Sequence, residues 1–140
     1  MVAEVAAEIP ARARRLIARY WPGPLTLILR ARPGAPTGLT AGTGTVGVRI
    51  PGHPLALALV RAAGLPLTAP SANPHGGPSP RTAAEVVAAL GERVDLVLDG
   101  GATPGGLPST VLDVTASPAR LVRAGAVALT AEDLADAERV

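Results

Sequence analysis

The segment Ala69-Pro70-Ser71-Ala72-Asn73-Pro74-His75-Gly76-Gly77-Pro78-Ser79-Pro80-Arg81 separates an apolar run from a helix start. Most of its residues are Pro, Gly, Ser or Asn, which fix unusual backbone angles or offer side-chain hydrogen bonds. Composition alone leaves two interpretations open, because the same residues mark ordinary surface loops as well as ligand-binding ones. The helices and strands predicted on either side of this loop indicate the fold in which it lies.

Four helices are predicted from apolar residues that recur at helical spacing, and they span 10–20, 54–63, 82–91 and 130–139. The helix after the loop begins with the spacing of a capping box, in which Thr82 and Glu85 each accept a hydrogen bond from the other's backbone N–H. This helix is expected to bury Val86, Val87 and Leu90. The helix before the loop is expected to turn four residues inward, namely Leu55, Ala58, Leu59 and Ala62.

Six strands are predicted from alternating or short apolar runs, and they span 25–31, 45–50, 65–69, 94–99, 109–115 and 120–124. The last two form a hairpin. In the second strand, alternation places Thr45, Gly47 and Arg49 on one face, which is either an anion site or an ordinary exposed face. Because helices and strands alternate while the hairpin is antiparallel, the predicted class is α/β with a mixed parallel and antiparallel sheet.

Composition bounds the class of protein. A length of 140 residues predicts a single domain over 1–140, and the absence of Phe means that aliphatic residues must fill its core. Without cysteine there is no disulfide framework, thiol nucleophile or thiolate metal site. His53 and His75 are too few and too isolated for a metal site. No apolar run reaches membrane length, so a soluble cytoplasmic protein is the default expectation.

Polar loops lie at three predicted strand ends, where open α/β sheets bind ligands. They are the 69–81 loop, the 100–108 loop and the approach to Thr45. Hydroxyl and amide groups suit oxyanions, and guanidinium groups pair with carboxylate or phosphate. The side chains available are those of Ser71, Ser109, Asn73, Arg49 and Arg123. A Ser/His/Asp hydrolase and a Walker A site are disfavoured, since neither Gly-x-Ser-x-Gly around Ser71 nor Gly-Lys-Ser/Thr occurs.

Five strings in order resemble the YrdC-like threonylcarbamoyl-AMP synthase family over about residues 10–126. They are Tyr20-Trp21-Pro22-Gly23-Pro24-Leu25-Thr26, Thr45-Val46-Gly47-Val48-Arg49-Ile50-Pro51, Ala69-Pro70-Ser71-Ala72-Asn73, Ser109-Thr110-Val111-Leu112-Asp113 and Leu121-Val122-Arg123-Ala124-Gly125. The resemblance implies a twisted open α/β sheet around a positively charged cavity. It also implies a reaction that joins L-threonine, bicarbonate and ATP into threonylcarbamoyl-AMP and pyrophosphate, for the modification of adenosine 37 in tRNA.

The resemblance implies roles for individual residues as well. L-Threonine would be contacted by Arg49, Ser71 and Ser109, and ATP by Thr45, Asn73 and Arg123, with Mg²⁺ accompanying the nucleotide. Arg81 stands where the family usually has a hydroxyl residue that contacts ATP, with Thr82 one place later, so it joins the nucleotide contacts as a departure from the pattern. No catalytic residue is assigned, since nucleotidyl transfer relies on positioning and charge stabilisation.

The family's opening section, with its Pro-Thr-Glu-Thr-x-Tyr-Gly string and Lys-x-Arg pair, has no counterpart in this lysine-free chain. We therefore expect an N-terminally truncated domain with exposed strand edges and apolar surface, and with limited activity. Two other functions stay open. One is a non-catalytic RNA-binding module of weak affinity, and the other is a carbamoyl-transferring relative that uses carbamoyl-phosphate. The leading function implies partner proteins of tRNA modification.

Overall fold

The computed structural model describes residues 1–74, 76–104 and 107–134. His75, part of the 100–108 loop and the end of the predicted last helix lie outside the described residues. The chain divides into two compact units. The first comprises Met1–Leu67 and the chain from Leu107 onward, and the second lies within Thr68–Gly106. The single-domain organisation expected from the sequence stays a prediction.

The first unit contains a four-stranded sheet in the order β2-β1-β3-β4. Its strands are β1 (Leu25–Arg30), β2 (Thr45–Val48), β3 (Thr110–Asp113) and β4 (Arg120–Arg123). The central strands β1 and β3 are parallel, and each is antiparallel to its outer neighbour. The mixed sheet predicted from the sequence is therefore confirmed.

One face of the sheet packs on a helix because β1 alternates strictly. Leu25, Leu27 and Leu29 are fully buried, and Ala13 and Leu16 of the helix Ala11–Tyr20 belong to the same apolar cluster. The core thus consists of aliphatic side chains, as expected for a chain without Phe. Successive strand residues point to opposite faces, so the residues between the leucines lie on the other face of the sheet.

Six α-helices lie in the described ranges. They are α1 (Val2–Val5), α2 (Ala11–Tyr20), α3 (Thr37–Thr40), α4 (Pro54–Ala63), α5 (Ala83–Leu90) and α6 (Ala131–Leu134), and a 3₁₀ turn, Gly91–Arg93, follows α5. The predicted bounds of α4 are confirmed, with His53 Nδ1 accepting a hydrogen bond from Leu55 N and Gly64 ending the helix at a φ of +66°. The predicted burial along α4 is wrong, since none of its residues is buried and Leu59 is 46% exposed. None of the described helices is long and apolar enough to cross a bilayer.

The second unit holds α5, and only half of its predicted capping box forms. Thr82 Oγ1 accepts a hydrogen bond from Glu85 N at 3.2 Å, as expected. The Glu85 carboxylate, however, accepts from Arg81 N at 2.6 Å rather than from Thr82 N, so it caps the residue one place earlier. The predicted burial was also wrong, because none of the eight described α5 residues is buried and Val87 is 52% exposed.

Two predicted strands, 65–69 and 94–99, are irregular segments. The leucines of both segments are exposed, with Leu96 at 75% and Leu65 at 51%. A strand requires a neighbouring strand for its backbone N–H and C=O groups. Within the described part of the chain no strand pairs with either segment. An apolar run was therefore insufficient to predict a strand at these positions.

Candidate functional site

A polar cluster lies on the sheet face opposite α2. The Arg123 guanidinium donates to the Ser109 carbonyl oxygen through Nε at 3.0 Å and through Nη2 at 2.8 Å. The same Nη2 donates to the Ser109 hydroxyl at 2.9 Å, and that hydroxyl lies 2.9 Å from the Thr26 hydroxyl. Two of the residues predicted to bind substrates, Ser109 and Arg123, are therefore in direct contact. The third member, Thr26, ends the string Tyr20–Thr26 that resembles the family, but no role was predicted for it.

Backbone geometry fixes this cluster. The pairing of β3 with β4 shifts register between Val111 and Leu112, which is the signature of a β-bulge and re-aims the neighbouring side chains. Beyond the bulge, Gly125 approaches the chain so closely that a Cβ there would lie 2.5 Å from Thr110 N and 2.6 Å from Ser109 C. Only glycine fits at this approach. The position of Ser109 thus depends on a neighbour without a side chain.

The predicted face is confirmed within β2, but the predicted strand 45–50 was too long, since β2 ends at Val48 and Arg49 follows it. Val46 is buried, while Thr45 is half-buried and Gly47 and Arg49 are exposed. Arg49 has no side-chain partner among the residues that the structure describes. A Cβ on Gly47 would lie 3.4 Å from Thr26 Cγ2, so Gly47 and Thr26 share this face. The side-chain-free gap expected at Gly47 therefore borders the cluster.

The Thr45 hydroxyl has a defined polarity. Thr43 Oγ1 donates to the Thr40 carbonyl oxygen at 2.6 Å, and it also lies 2.8 Å from Thr45 Oγ1. Because the single Thr43 hydrogen is already used, Thr45 is the donor in the second bond. The Thr45 oxygen is then left as an acceptor, which suits an N–H or O–H group of a ligand rather than a phosphate oxygen.

The second unit contains the other three predicted site residues. Ser71 is exposed. Asn73 Nδ2 donates to the carbonyl oxygens of Pro74 and Gly77, each at 2.9 Å, and Gly77 N donates back to Pro74 O at 2.9 Å. These bonds brace the loop, and they use both amide hydrogens of Asn73. The remaining group, Asn73 Oδ1, is a buried acceptor without a hydrogen-bond partner among the described residues.

Arg81 takes part in the second unit through its backbone. Its N–H donates to Glu85, and its carbonyl oxygen accepts from Thr103 N at 2.7 Å. The side chain itself is exposed. Four of the seven predicted residues, Thr45, Arg49, Ser109 and Arg123, thus belong to the first unit, and Ser71, Asn73 and Arg81 belong to the second.

A buried carboxylate, Asp133, joins α2 to α6 within the first unit. It accepts hydrogen bonds from Tyr20 Oη at 2.7 Å and Thr130 N at 2.8 Å, and it pairs with Arg19 at 3.1 Å. Burial alone would raise the pKa of Asp133, but the bonds from Thr130 and Tyr20 and the Arg19 charge outweigh it, so the pKa is lowered. The pKa of Tyr20 is raised, chiefly by its hydrogen bond to Asp133.

A second carboxylate, Asp113, is held in the same way at the end of β3. Burial would raise its pKa, but hydrogen bonds from the Thr115 hydroxyl and backbone N–H, together with Arg120, lower it. Both carboxylates are thus ionised partners of neighbouring donors and have structural roles. Within the described ranges, no group of three His, Cys, Asp or Glu residues is arranged to hold a metal ion.

Comparison with known proteins identifies the family. The Sua5_yciO_yrdC family, described as "Telomere recombination", matches residues 1–125. The chain belongs to the Sua5/YciO/YrdC family. This confirms the resemblance found in the five sequence strings.

The chain is similar to two curated proteins that are both named threonylcarbamoyl-AMP synthase. It is 48% identical over 119 residues to the threonylcarbamoyl-AMP synthase of Bacillus subtilis (strain 168), covering 84% of this chain and 34% of that protein. It is 43% identical over 125 residues to the threonylcarbamoyl-AMP synthase of Pyrococcus abyssi (strain GE5 / Orsay), covering 89% and 37%. The chain therefore spans about a third of the length of these two relatives.

Solved structures of the Sua5/YciO/YrdC family share the fold. The crystal structure of P. abyssi Sua5 complexed with L-threonine superimposes with a TM-score of 0.82 at 44% identity, covering 86% of this chain and 36% of that one. E. coli YciO superimposes with a TM-score of 0.77 at 31% identity, covering 89% and 60%. The YrdC-like sheet expected from the sequence is therefore confirmed.

Proposed function

We propose that this chain is a threonylcarbamoyl-AMP synthase domain, a cytoplasmic nucleotidyltransferase that serves tRNA modification. The observation that carries the proposal is the Arg123 guanidinium held against Ser109 on the sheet face opposite α2. A fixed guanidinium beside a hydroxyl is suited to a carboxylate or phosphate. The names of the curated relatives and the L-threonine bound by P. abyssi Sua5 support the same substrates.

The proposed chemistry needs no protein nucleophile. The amine nitrogen of L-threonine attacks the carbon of bicarbonate, and water leaves, which gives a carbamate. A carbamate oxygen then attacks the α-phosphorus of ATP, and the bond to pyrophosphate breaks. The protein aligns these groups and stabilises the charge that develops on phosphate oxygens. Mg²⁺ accompanies the nucleotide, because this ion is commonly bound through substrate phosphates.

Each predicted residue has a role that its hydrogen bonds allow. Within the first unit, Arg49, which has no partner among the described residues, supplies charge to L-threonine together with the Ser109 hydroxyl. The L-threonine contact of Ser71, which belongs to the second unit, stays a prediction. Arg123 supplies charge to ATP, and because it donates to the Ser109 hydroxyl, its charge also lies beside the L-threonine contact of Ser109. Thr45 offers only an acceptor oxygen, so it suits an N–H or O–H group of the nucleoside rather than its phosphates. Asn73 Oδ1 is buried in the second unit, and its nucleotide contact stays a prediction. Arg81 is the remaining nucleotide contact.

The decisive experiment measures pyrophosphate released from ATP with and without L-threonine and bicarbonate, and L-threonine binding by calorimetry. Binding of L-threonine and release that depends on both co-substrates are expected. Arg123→Ala should weaken both, since it removes the charged donor. Arg61→Ala is the matched control, because Arg61 is an exposed arginine of α4 with no proposed role. A chain that binds neither L-threonine nor ATP would refute the proposal.

Companion assays separate the other functions. Pyrophosphate release at a rate near that of full-length relatives would contradict the expectation of limited activity. Salt-dependent tRNA binding without L-threonine or ATP binding would favour the RNA-binding module, for which phosphate contacts dominate affinity. Consumption of carbamoyl-phosphate without L-threonine would favour the carbamoyl-transferring relative. Capture of tRNA-modifying proteins by the chain would test the proposed partners.

A further inference from the structure

Thr26 is the member of the polar cluster for which the motif comparison gave no role. Its hydroxyl lies 2.9 Å from Ser109 Oγ, and no other hydrogen bond of this side chain is found among the described residues. The fully buried Leu25 and Leu27 flank it and hold its strand in place. On its open side, Gly47 leaves space where a side chain would cover it. Thr26 is thus held in place beside a side-chain-free gap on this face.

The number of hydroxyl hydrogens limits which hydrogen bonds the Thr26–Ser109 pair can form. The Arg123 guanidinium only donates, so the Ser109 oxygen accepts from Arg123 Nη2. The two hydroxyls have two hydrogens between them, and the bond that joins them uses one. The other hydrogen is free for a ligand. An anion is stabilised most where it lies next to the Arg123 charge, and Ser109 is the hydroxyl in contact with Arg123. The free hydrogen therefore stabilises the anion more on Ser109 than on Thr26.

This polarity requires Thr26 to donate to Ser109. Both lone pairs of the Ser109 oxygen are then occupied, one by Arg123 and one by Thr26, and its hydrogen points away from both. We infer that Thr26 is a positioning residue, which turns the Ser109 hydroxyl hydrogen toward the anionic group of the ligand. Under the proposed function, on which this inference rests, that group is the carboxylate of L-threonine.

The test compares Thr26→Val, which keeps the shape but removes the hydroxyl, with Thr26→Ser, which keeps the hydroxyl. Calorimetry on the full chain would measure the affinity for L-threonine and, separately, for a non-hydrolysable ATP analogue. Thr26→Val should weaken L-threonine binding by about three- to tenfold, the effect of one neutral hydrogen bond, and leave analogue binding within about twofold. Thr26→Ser should restore L-threonine binding to within about twofold of the unmodified chain.

A double-mutant cycle tests whether Thr26 acts through Ser109. Ser109→Ala should weaken L-threonine binding, and adding Thr26→Val to it should cost nothing further. The inference is wrong if the double variant loses the combined L-threonine affinity of the two single variants. It is also wrong if Thr26→Val binds L-threonine normally, or if Thr26→Ser binds it as weakly as Thr26→Val. If Thr26→Val does not fold, as judged by its thermal melt, Thr26→Ala replaces it. An unmodified chain that binds the ATP analogue but not L-threonine would overturn the ligand named here, and one that binds neither would refute the proposed function as well.

Discussion

Replacing Gly125 by alanine tests the backbone approach that places Ser109. The new Cβ would overlap the Pro108 carbonyl oxygen and lie 2.5 Å from Thr110 N, whereas real Cβ atoms essentially never approach within 3.0 Å. All the atoms it meets belong to the backbone, so no side chain can rotate away. The two segments must therefore separate by about 0.7 Å or more.

The separation has a cost that can be estimated from the bonds it strains. Ala126 N donates to Pro108 O at 2.9 Å, and Thr110 Oγ1 both donates to Val127 O and accepts from Val127 N. Weakening two such bonds costs roughly 1–3 kcal/mol, and overpacking adds about 1–3 kcal/mol. We expect the free energy of unfolding to fall by about 3–5 kcal/mol, which lowers Tm by roughly 10–20 °C for a chain of this length.

Thermal melts followed by circular dichroism would measure the change. The matched control is Gly38→Ala, since a Cβ on Gly38 in α3 meets no atom within 4 Å. The control should melt within about 2 °C of the unmodified chain or slightly above it. A Gly125→Ala chain that melts as the control does would show that the contact between 125 and 108–110 is looser than described.

Three further substitutions test other features. Asp133→Asn removes the ion-pair partner of Arg19 and should lower the free energy of unfolding by about 1–2 kcal/mol at pH 7. The folded pKa of Asp133 is lowered, so its contribution to the free energy of unfolding is present above about pH 4 and is lost in acid. The folded pKa of Tyr20 is raised, so its contribution is present below about pH 10 and is lost in base. Urea unfolding of the unmodified and Asp133→Asn chains across pH should show the difference between their free energies of unfolding narrow in acid. Thr82→Ala removes the cap of α5 and should cost about 1 kcal/mol, seen as faster amide exchange in α5 but not in β1; equal exchange would contradict the cap. Gly47→Ala fills the gap beside Thr26, so it should weaken L-threonine binding severalfold in calorimetry while Tm changes by less than about 2 °C, and unchanged binding would show that this face takes no ligand.

The elements that the sequence predicted well are those with strong local signals. Alternating leucines predicted β1, and Pro54 with Gly64 predicted both ends of α4. The failures concern partners rather than local preference. The apolar residues of 94–99 fit a strand, but strand formation also requires a neighbour, which the described part of the chain does not supply. The prediction that Val87 is buried failed for the same reason, since helical periodicity does not show which element packs on a helix face.

The candidate site was predicted as residue types rather than as contacts. Ser109 and Arg123 were selected because hydroxyl and guanidinium groups bind anions, yet their mutual bonds depend on the β-bulge and on Gly125. Neither the β-bulge nor the close approach of Gly125 produces a periodic sequence pattern from which it could be predicted. Thr26 was overlooked because a threonine at an alternating strand position is typical of any half-exposed strand. Only the structure places its hydroxyl beside Ser109.

The parallel pairing of β1 with β3 also determines when the protein can fold. Thr26 and Ser109 are 83 positions apart in sequence, and the central strand pair joins the same two regions. During synthesis β1 therefore leaves the ribosome long before its parallel neighbour exists, with its three core leucines exposed to solvent. Such non-local pairing slows folding and leaves apolar strands open to aggregation or to chaperones. The hairpin of β3 and β4 can form locally, so we expect sheet closure around β1 to be the late, rate-limiting event.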